Sequence, residues 1–394
     1  MRALESELAA GLAAQRAAHR ARTRTIVESR AVDATRIRVE GREVVAFCSN
    51  DYLGLAGHPL VTAAFVEAAR RWGVGSGASH LVSGHTLEHH ALEDELAQFV
   101  GRPRAVLFST GYMANLAVVR ALARRGDSVL EDRLNHASLI DAGLASGARF
   151  RRYAHSDVAA LRTRLTRAGS ARTLVATDGV FSMDGDVAPL RELAAACREH
   201  GAALFVDDAH GFGVLGDGGR GSVERAGLAL DDVPALVCTL GKAVGTFGAF
   251  VSGSEALVES LVQSAREYIY TTALPPAVAA ATRTALRVIA AEPGRRARVI
   301  ALARAFGAEA KRLGLSLTAS DSPIRPVLLG SESAALEASR ALLDAGLFVP
   351  AIRPPTVPAG TSRLRVTFSA AHADADVDRL LDALAALRRR GLLH

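Results

Sequence analysis

Cysteine is scarce in this 394-residue sequence, and its distribution excludes two kinds of site. Cys48, Cys197 and Cys238 lie far apart and form no CxxC pair. We therefore expect neither a disulfide framework nor a thiolate metal site, and we predict no metal. The opening residues also lack the charged segment, apolar run and cleavage site of a secretory signal, so we expect a cytoplasmic protein.

Long apolar runs are nearly absent too. The best candidate for a membrane span, residues 235–253, contains several glycines and has Lys242 near its centre. A charge at the centre of a bilayer is costly, and glycine favours turns over helix interiors. The run therefore predicts a strand, a tight loop and a second strand, and we expect no membrane partner.

Lysine is almost missing among the basic residues. Of 47 lysines and arginines only Lys242 and Lys311 are lysines, and the net charge is +6. Because the arginines are spread along the chain rather than gathered in one block, we expect no nucleic-acid partner. A lysine kept in a glycine-rich apolar run indicates chemistry that needs an amine able to lose its proton, which arginine cannot do.

Short apolar strands alternate with helices from about residue 104, as in AVLFS, SVLED, RTLVATD and AALFVDD. This pattern predicts the α/β class, with a three-layer α/β/α major domain on a mostly parallel sheet and a smaller C-terminal α+β domain. We expect an N-terminal amphipathic helix and arm over residues 1–45, with a basic end reaching Arg22. The major domain is expected over 46–290 and the C-terminal domain over 291–394.

Polar residues follow two of the predicted strands. Asp207 and His210 come at the carboxyl end of AALFVDD, where open α/β sheets bind ligands. A carboxylate there could keep a pyridinium nitrogen protonated, although an aspartate at a strand end is also a common turn residue. Lys242 follows the next apolar strand, and a desolvated lysine forms Schiff bases.

Two more segments lie where a strand passes into a helix. Gly111, in FSTGYMAN, could present backbone N–H groups to a phosphate. His136, in DRLNHASLID, could stack on an aromatic cofactor. Both segments are also compatible with ordinary helix starts. In the second segment, the backbone would then satisfy the hydrogen bonds of His136.

Two patterns match known motifs but lack their context. GFGVLG, residues 211–216, matches GxGxxG, yet DGGRGS follows it instead of a helix, so we predict a glycine-rich loop and no nicotinamide site. HTLEH, residues 85–89, matches the inverted zinc-protease pattern HxxEH. Leucines at helical spacing among polar residues favour an ordinary amphipathic surface helix there.

Seven ordered motifs together resemble one family over essentially the whole chain. They are SNDYLGL (49–55), LVSG (81–84), NHASL (135–139), GVFSMDGD (179–186), VDDAHGFG (206–213), TLGK (239–242) and RPPTVPAGTSRLR (353–365). The sequence resembles the α-oxoamine synthases, which are fold-type-I pyridoxal-phosphate enzymes. The resemblance implies a homodimeric enzyme that joins an amino acid to an acyl thioester with loss of carbon dioxide.

The first and last motifs look most like the biotin-biosynthesis branch of that family. This branch implies L-alanine and either pimeloyl-CoA or a pimeloyl-carrier protein as substrates. Sister synthases that make aminolevulinate or 2-amino-3-oxobutyrate are alternatives, as are a metallohydrolase on HxxEH and a basic nucleic-acid binder.

Asp178 stands where many relatives carry glutamate, which shortens a carboxylate near the cofactor.

The resemblance also implies a role for each matching residue. Lys242 holds pyridoxal phosphate covalently and moves protons at the substrate α-carbon, Asp207 pairs with the pyridine nitrogen, and His136 stacks on the ring. The expected catalytic residues are Lys242, His136, Asp207 and His210. The further cofactor contacts are His210 and Ser182 at the ring hydroxyl, Gly111, Tyr112 and Thr239 at the phosphate, and Thr272 at the phosphate of the neighbouring subunit. The substrate contacts are Asn50 and Arg365 at the alanine carboxylate, and Arg22 and Thr356 on the acyl side.

Overall fold

The computed structural model describes residues 1–31, 35–169 and 172–393. The chain divides into two compact units. The larger unit contains Asn50–Ser182 and Asp186–Arg298. The smaller unit contains Met1–Ser49, Met183–Gly185 and Val299–His394, so it combines residues from both ends of the sequence.

The strands and helices follow in chain order. The strands are β1 (Val27–Arg30), β2 (Arg36–Val39), β3 (Arg42–Ala46), β4 (Arg104–Phe108), β5 (Ser128–Asp132), β6 (Arg149–Tyr153), β7 (Thr173–Asp178), β8 (Ala203–Asp207), β9 (Ala235–Thr239), β10 (Ala249–Gly253), β11 (Ile324–Gly330), β12 (Leu347–Phe348), β13 (Ala351–Ile352) and β14 (Ser362–Thr367). The α-helices are α1 (Arg2–Ala17), α2 (Pro59–Trp72), α3 (Leu87–Val100), α4 (Gly111–Leu122), α5 (Ala137–Ala145), α6 (Val158–Ala168), α7 (Leu190–Glu199), α8 (Ser222–Arg225), α9 (Glu255–Ser264), α10 (Arg266–Ile269), α11 (Pro276–Ala291), α12 (Gly294–Arg312), α13 (Glu332–Asp344) and α14 (Asp374–Arg389). A π-helix spans His80–Gly84.

The larger unit is built on a sheet of seven strands in the order β4-β10-β9-β8-β7-β5-β6. The pairs from β9 to β6 are parallel, and β10 is antiparallel to both of its neighbours. Every residue of β7 is buried, so both faces of this strand are covered, as parallel sheets require. The predicted α/β class with a mostly parallel sheet is confirmed.

The glycine-rich run around Lys242 forms the predicted strand, loop and strand. β9 and β10 pair with Thr239 opposite Ala249, so Lys242 lies in their connection. Gly245 closes this loop at φ +75°, and a Cβ at that position would meet the backbone nitrogen of Ala56 at 2.5 Å. A glycine is therefore needed to pack the Lys242 loop against the segment before α2.

The GFGVLG segment forms a turn-rich loop, as predicted, with no helix before α8. The buried carboxylate of Asp208 accepts the backbone N–H of Ser222 at 2.6 Å and so closes this loop from inside. A Cβ on Gly211 or Gly221 would overlap that carboxylate. Both glycines thus make room for Asp208, which gives Gly211, the first glycine of the pattern, a structural role.

One strand of the sheet has no counterpart in the sequence prediction. β6 is the edge strand, and most of its positions are at least partly exposed. Its sequence, RFRRY, carries three arginines, which hides the apolar pattern of a strand. Charged edge strands of this kind prevent edge-to-edge pairing between molecules.

The smaller unit contains two sheets, in the orders β1-β2-β3-β12 and β11-β14-β13. The parallel pairing of β12 with β3 joins the C-terminal part of the chain to its N-terminal part. The predicted long helix, strand near Ile324, helix from Glu332 and strand RLRVTFS correspond to α12, β11, α13 and β14.

Two helix predictions need correction. The N-terminal helix ends at Ala17, before Arg22, because His19 adopts a left-handed φ of 54° that a helix cannot continue through. The helix predicted at HTLEH begins only at Leu87, and His89 is fully buried, so this histidine is not on the surface. Among the described residues, no helix is both long and apolar enough to span a membrane.

Candidate active site

Four polar side chains form a hydrogen-bonded series in the larger unit, ending at the amine of Lys242. The Lys242 Nζ lies 2.8 Å from the His210 Nε2. The other ring nitrogen, His210 Nδ1, lies 2.7 Å from the Tyr52 hydroxyl. That hydroxyl in turn donates to the Asn50 Oδ1 at 3.2 Å.

The chemistry of these groups assigns the proton positions. A charged lysine only donates, so His210 accepts through Nε2 and carries its proton on Nδ1. The Nδ1–H then donates to the Tyr52 oxygen, whose own proton goes to Asn50. With Tyr52 0% and His210 6% exposed, this arrangement is shielded from water and holds the imidazole in one tautomer.

The carboxylate of Asp207 is fixed at the end of β8. Its Oδ2 accepts a hydrogen bond from the Asn115 side-chain amide at 2.6 Å, and its Oδ1 accepts the Ala209 backbone N–H at 3.0 Å. The same amide nitrogen of Asn115 also donates to the Ser138 hydroxyl at 2.8 Å. Asp207 therefore has a fixed orientation in a buried setting, which a partner for a ring nitrogen requires.

His136 is the N-cap of α5 and lies beside these charges. Its Nδ1 is 2.7 Å from the Ser138 hydroxyl, which orients the ring. Burial lowers the pKa of His136, the Asp207 carboxylate opposes that change, and the Lys242 charge adds to it. The neutral ring is thus favoured, as suits a flat group that stacks on another ring.

Asp178, at the end of β7, is a second carboxyl group in the same setting. It accepts the His136 backbone N–H at 2.8 Å and so holds the start of α5. Burial and repulsion by Asp207 raise the pKa of Asp178 well above its ordinary value. Asp178 is therefore favoured in its neutral form.

The residues predicted to contact the phosphate lie at two places in the larger unit. Gly111 and Tyr112 begin α4, where a Cβ on Gly111 would meet no atom within 4 Å, so the helix start faces open space. Thr239 ends β9, and its hydroxyl donates to the Gly248 carbonyl at 3.1 Å. Ser182 lies in the loop after β7, and Thr272 is exposed in the segment before α11.

The remaining predicted substrate residues belong to the smaller unit. Arg22 donates to the Thr356 hydroxyl at 3.3 Å, so the two predicted acyl-side residues contact each other. Arg365 is buried in β14, and its charge acts on the thiol of Cys48, whose pKa burial raises to about 11. The roles of these residues in binding stay predictions.

Sequence reasoning assigned no role to Tyr52 or Asn115. Both residues lie inside motifs named above, SNDYLGL and FSTGYMAN. Their membership of these motifs is the sequence signal that could have identified them as site residues. Their partners are distant in sequence, at separations of 158 residues for Tyr52 and His210 and 92 for Asn115 and Asp207. Only the folded chain brings them together.

The arrangement fits pyridoxal phosphate on its own chemistry. It offers a lysine amine held by a histidine, a buried carboxylate with a fixed orientation, a flat neutral imidazole, and an open helix start. These four features match what a Schiff-base amine, a pyridinium partner, a stacking group and a phosphate contact need.

The comparisons with known proteins agree with this geometry. The family described as aminotransferase class I and II matches residues 42–384. The chain belongs to this family. Within the aminotransferase class I and II family it is an α-oxoamine synthase, as the motifs predicted, and the prediction of pyridoxal phosphate as its cofactor is confirmed.

Relatives that match the chain over nearly its full length carry more specific names than the family description. It is 56% identical to the 8-amino-7-oxononanoate synthase of Saccharophagus degradans, with 98% of this chain and 97% of the relative covered. It is 60% identical to the protein of the same name from Methylococcus capsulatus, with 96% and 97% covered. A serine palmitoyltransferase variant from S. paucimobilis, solved with a bound PLP–myriocin aldimine, superimposes with a TM-score of 0.90 at 35% identity, covering 93% and 92%.

Proposed function

We propose that the chain catalyses the reaction for which these relatives are named, the formation of 8-amino-7-oxononanoate from L-alanine and a pimeloyl thioester. The observation that carries the proposal is the identity of 56% and 60% with such synthases over nearly the full length of both chains. In the reaction, the alanine α-carbon loses its proton and bonds to the acyl carbonyl carbon. The thiol leaves, the alanine carboxylate departs as carbon dioxide, and a proton is added at the α-carbon.

The bound cofactor supplies an electron sink for negative charge at the substrate α-carbon. Lys242 is its covalent attachment point and the group that removes and returns protons at that carbon. His210 accepts the hydrogen bond of the amine and, held by Tyr52, keeps it directed at one place. Asp207, fixed by Asn115, supplies the negative charge that favours a protonated ring nitrogen.

The proposal also assigns the substrate contacts. Asn50 and Arg365 are assigned to the alanine carboxylate, which suits an amide and a guanidinium. Arg22 and Thr356 are assigned to the acyl substrate. Since CoA and the prosthetic group of a carrier protein present the same thioester, both carriers are kept as substrates to be tested.

We also propose that the protein works as a homodimer in which Thr272 contacts the cofactor phosphate of the partner. Thr272 is exposed in the described chain, as a residue that serves a second subunit must be. Its segment, YIYTTALPP, ends in Pro275 and Pro276, which are the N-cap and the first residue of α11. Proline restricts the backbone at this end of the segment.

The test uses purified protein loaded with pyridoxal phosphate, L-alanine, and either pimeloyl-CoA or a pimeloyl-carrier protein. Mass spectrometry of the product measures turnover, and absorbance spectra with and without L-alanine follow the cofactor. We expect Lys242→Ala to lower kcat by at least roughly 10²–10⁴-fold, the range for losing a general base, and to change the spectrum.

Lys311→Ala is the matched control, because Lys311 is the other lysine of the chain and is exposed near the end of α12. It should leave both turnover and spectrum unchanged. A higher kcat/KM with glycine and acetyl-CoA or succinyl-CoA than with the proposed pair would overturn the assignment in favour of a sister synthase.

A further inference from the structure

A group of histidines surrounds the start of α3, in a part of the larger unit that the proposed reaction does not use. His85, His90 and Glu93 each offer one ligand atom, and these atoms all lie within 4.8 Å of one another. This set is not the HxxEH pattern of the sequence, which consists of His85, Glu88 and His89. It shares only His85 with that pattern.

The other two HxxEH residues, Glu88 and His89, already have partners in the fold. The His89 Nδ1 accepts the Thr86 backbone N–H at 3.1 Å, and its Nε2 faces the Leu274 carbonyl at 2.7 Å, so both ring nitrogens are engaged. Glu88 pairs with Arg283 at 2.8 Å. The zinc-protease pattern is therefore a structural part of the fold, and any ligand set must use other atoms.

One ring nitrogen of His85 contacts a second histidine, which leaves the other ring nitrogen to bind a metal ion. Its Nδ1 lies 2.9 Å from the His80 Nδ1, so one of these rings donates to the other. With the proton on His85 Nδ1, the lone pair on its Nε2 points away from His80. Histidines that bind metals commonly use their second nitrogen in this way, which fixes the tautomer and the ring.

The free side of His85 faces a carboxylate. Its Nε2 lies 3.9 Å from the Glu93 Oε2, which is too long for a hydrogen bond. Two ligands of one tetrahedral zinc ion stand roughly 3.3 Å apart when their bonds are about 2.0–2.1 Å long. A shift of a few tenths of an ångström in each side chain would let both atoms bind one ion.

Glu93 is held in place by the fold. Its Oε1 accepts the Leu107 backbone N–H at 2.9 Å, and its side chain is 13% exposed. The other oxygen, Oε2, is the one that lies near the His85 Nε2, so the carboxylate can keep its backbone contact and offer Oε2 to an ion.

His90 completes the set from the same face of α3, three residues before Glu93. Its side chain is 67% exposed, so it can turn toward the other two ligands. Two neutral imidazoles and one carboxylate suit zinc and similar first-row ions rather than magnesium or calcium, which prefer oxygen ligands.

We propose that His85, His90 and Glu93 bind a divalent transition-metal ion such as Zn(II). The exposed side at His90 leaves the fourth position to water. The ion links the turn after the π-helix to the second turn of α3, and so stabilises the entry into that helix.

The test uses untagged full-length protein loaded with pyridoxal phosphate and freed of metals by a chelator. Zn(II) is titrated against a chromophoric competitor, and Co(II) replaces it for visible absorption of the bound ion. We expect one equivalent per chain. His90→Gln and Glu93→Gln should each weaken binding by at least about 10–100-fold, the loss known for outer-shell partners alone.

Glu67→Gln is the matched control, since it removes an exposed carboxylate from another helix of the same unit, α2, and should leave the affinity unchanged. Glu93→Gln keeps an oxygen for the Leu107 N–H. His90→Gln alters an exposed residue, so it tests the metal site by itself if Glu93→Gln does not fold. Zn(II) should also raise the Tm of the wild type and not that of His90→Gln. The proposal is overturned if the wild type fails to bind one equivalent below about 10 μM, or if both ligand variants bind like Glu67→Gln.

Discussion

At the scale of single residues, Tyr52 determines which nitrogen of His210 carries the proton. The tyrosine oxygen is 2.7 Å from Nδ1, while the amine of Lys242 is 2.8 Å from Nε2. Without the tyrosine oxygen as acceptor, the imidazole could place its proton on the nitrogen that faces the lysine. The hydroxyl thus keeps an acceptor ready for the amine and acts as a positioning group.

Replacing Tyr52 with phenylalanine keeps the ring packed but leaves a buried N–H of His210 without its acceptor. Such a loss costs about 1–3 kcal/mol, so we expect kcat to fall roughly 10–100-fold. We also expect the pH dependence of kcat to shift, because the tautomer of His210 is no longer held. Steady-state kinetics across pH measure both effects. Tyr153→Phe, which alters a buried tyrosine of the edge strand β6, is the control and should change neither; equal losses in the two variants would contradict this role.

At the scale of secondary-structure elements, His155 joins two connections at one end of the sheet. It lies just after β6, with Nδ1 3.0 Å from Asp132 at the end of β5 and Nε2 2.9 Å from Asp186 in the turn that follows β7. Burial alone would lower the pKa of His155, but hydrogen bonds to the two carboxylates outweigh it and raise the pKa to about 10. The imidazolium therefore holds the two connections together.

This linkage predicts a pH-dependent contribution to stability. Because the folded-state pKa lies above the unfolded value of about 6.5, the contribution is complete below pH 6.5 and disappears as pH rises toward about 10. We expect His155→Gln to lower the free energy of unfolding by about 1–3 kcal/mol near pH 6, less than the full shift implies because solvent screens the partly exposed ring. Denaturant unfolding at pH 6, 8 and 10 should show this difference shrinking.

His200→Gln is the control for this experiment. His200 also lies in the larger unit, but its Nδ1 contacts the Ala196 carbonyl rather than a carboxylate. Its effect on unfolding should be small at each pH. A His155→Gln difference that stays constant from pH 6 to pH 10 would show that the charge of His155 does not matter.

At the scale of the whole molecule, the proposed homodimer predicts that two inactive variants restore each other. Lys242→Ala removes the amine, and Thr272→Glu places a charge beside the proposed partner's phosphate. If each site takes Lys242 from one chain and Thr272 from the other, a mixed dimer has one intact site and one doubly altered site. Random mixing then restores about a quarter of the wild-type activity.

The experiment co-refolds or co-expresses the two variants and measures turnover, with mass in solution checked by light scattering. Each variant mixed with itself is the control and should stay inactive. Activity that remains at the level of the separate variants, in samples shown to contain mixed dimers, would place Thr272 and Lys242 in the same chain's site or remove Thr272 from the site.

The sequence by itself determined the α/β class and the strand–loop–strand around Lys242. These features are encoded locally, because apolar periodicity marks strands and helices and glycines mark the loop between two strands. The role of Lys242 as the reacting amine stays a prediction. The charged edge strand β6 escaped this reasoning, since its arginines hide the apolar pattern. The N-terminal helix was predicted, but its end depended on the backbone of His19.

The tertiary structure alone decided which residues meet. It brought Tyr52 to His210 and Asn115 to Asp207, gave the HxxEH residues structural partners, and set His85 beside Glu93. It also joined β12 to β3 across most of the chain. No local pattern contains these pairings, because they follow from how the sheet orders its strands and buries its faces, and that order depends on all elements together.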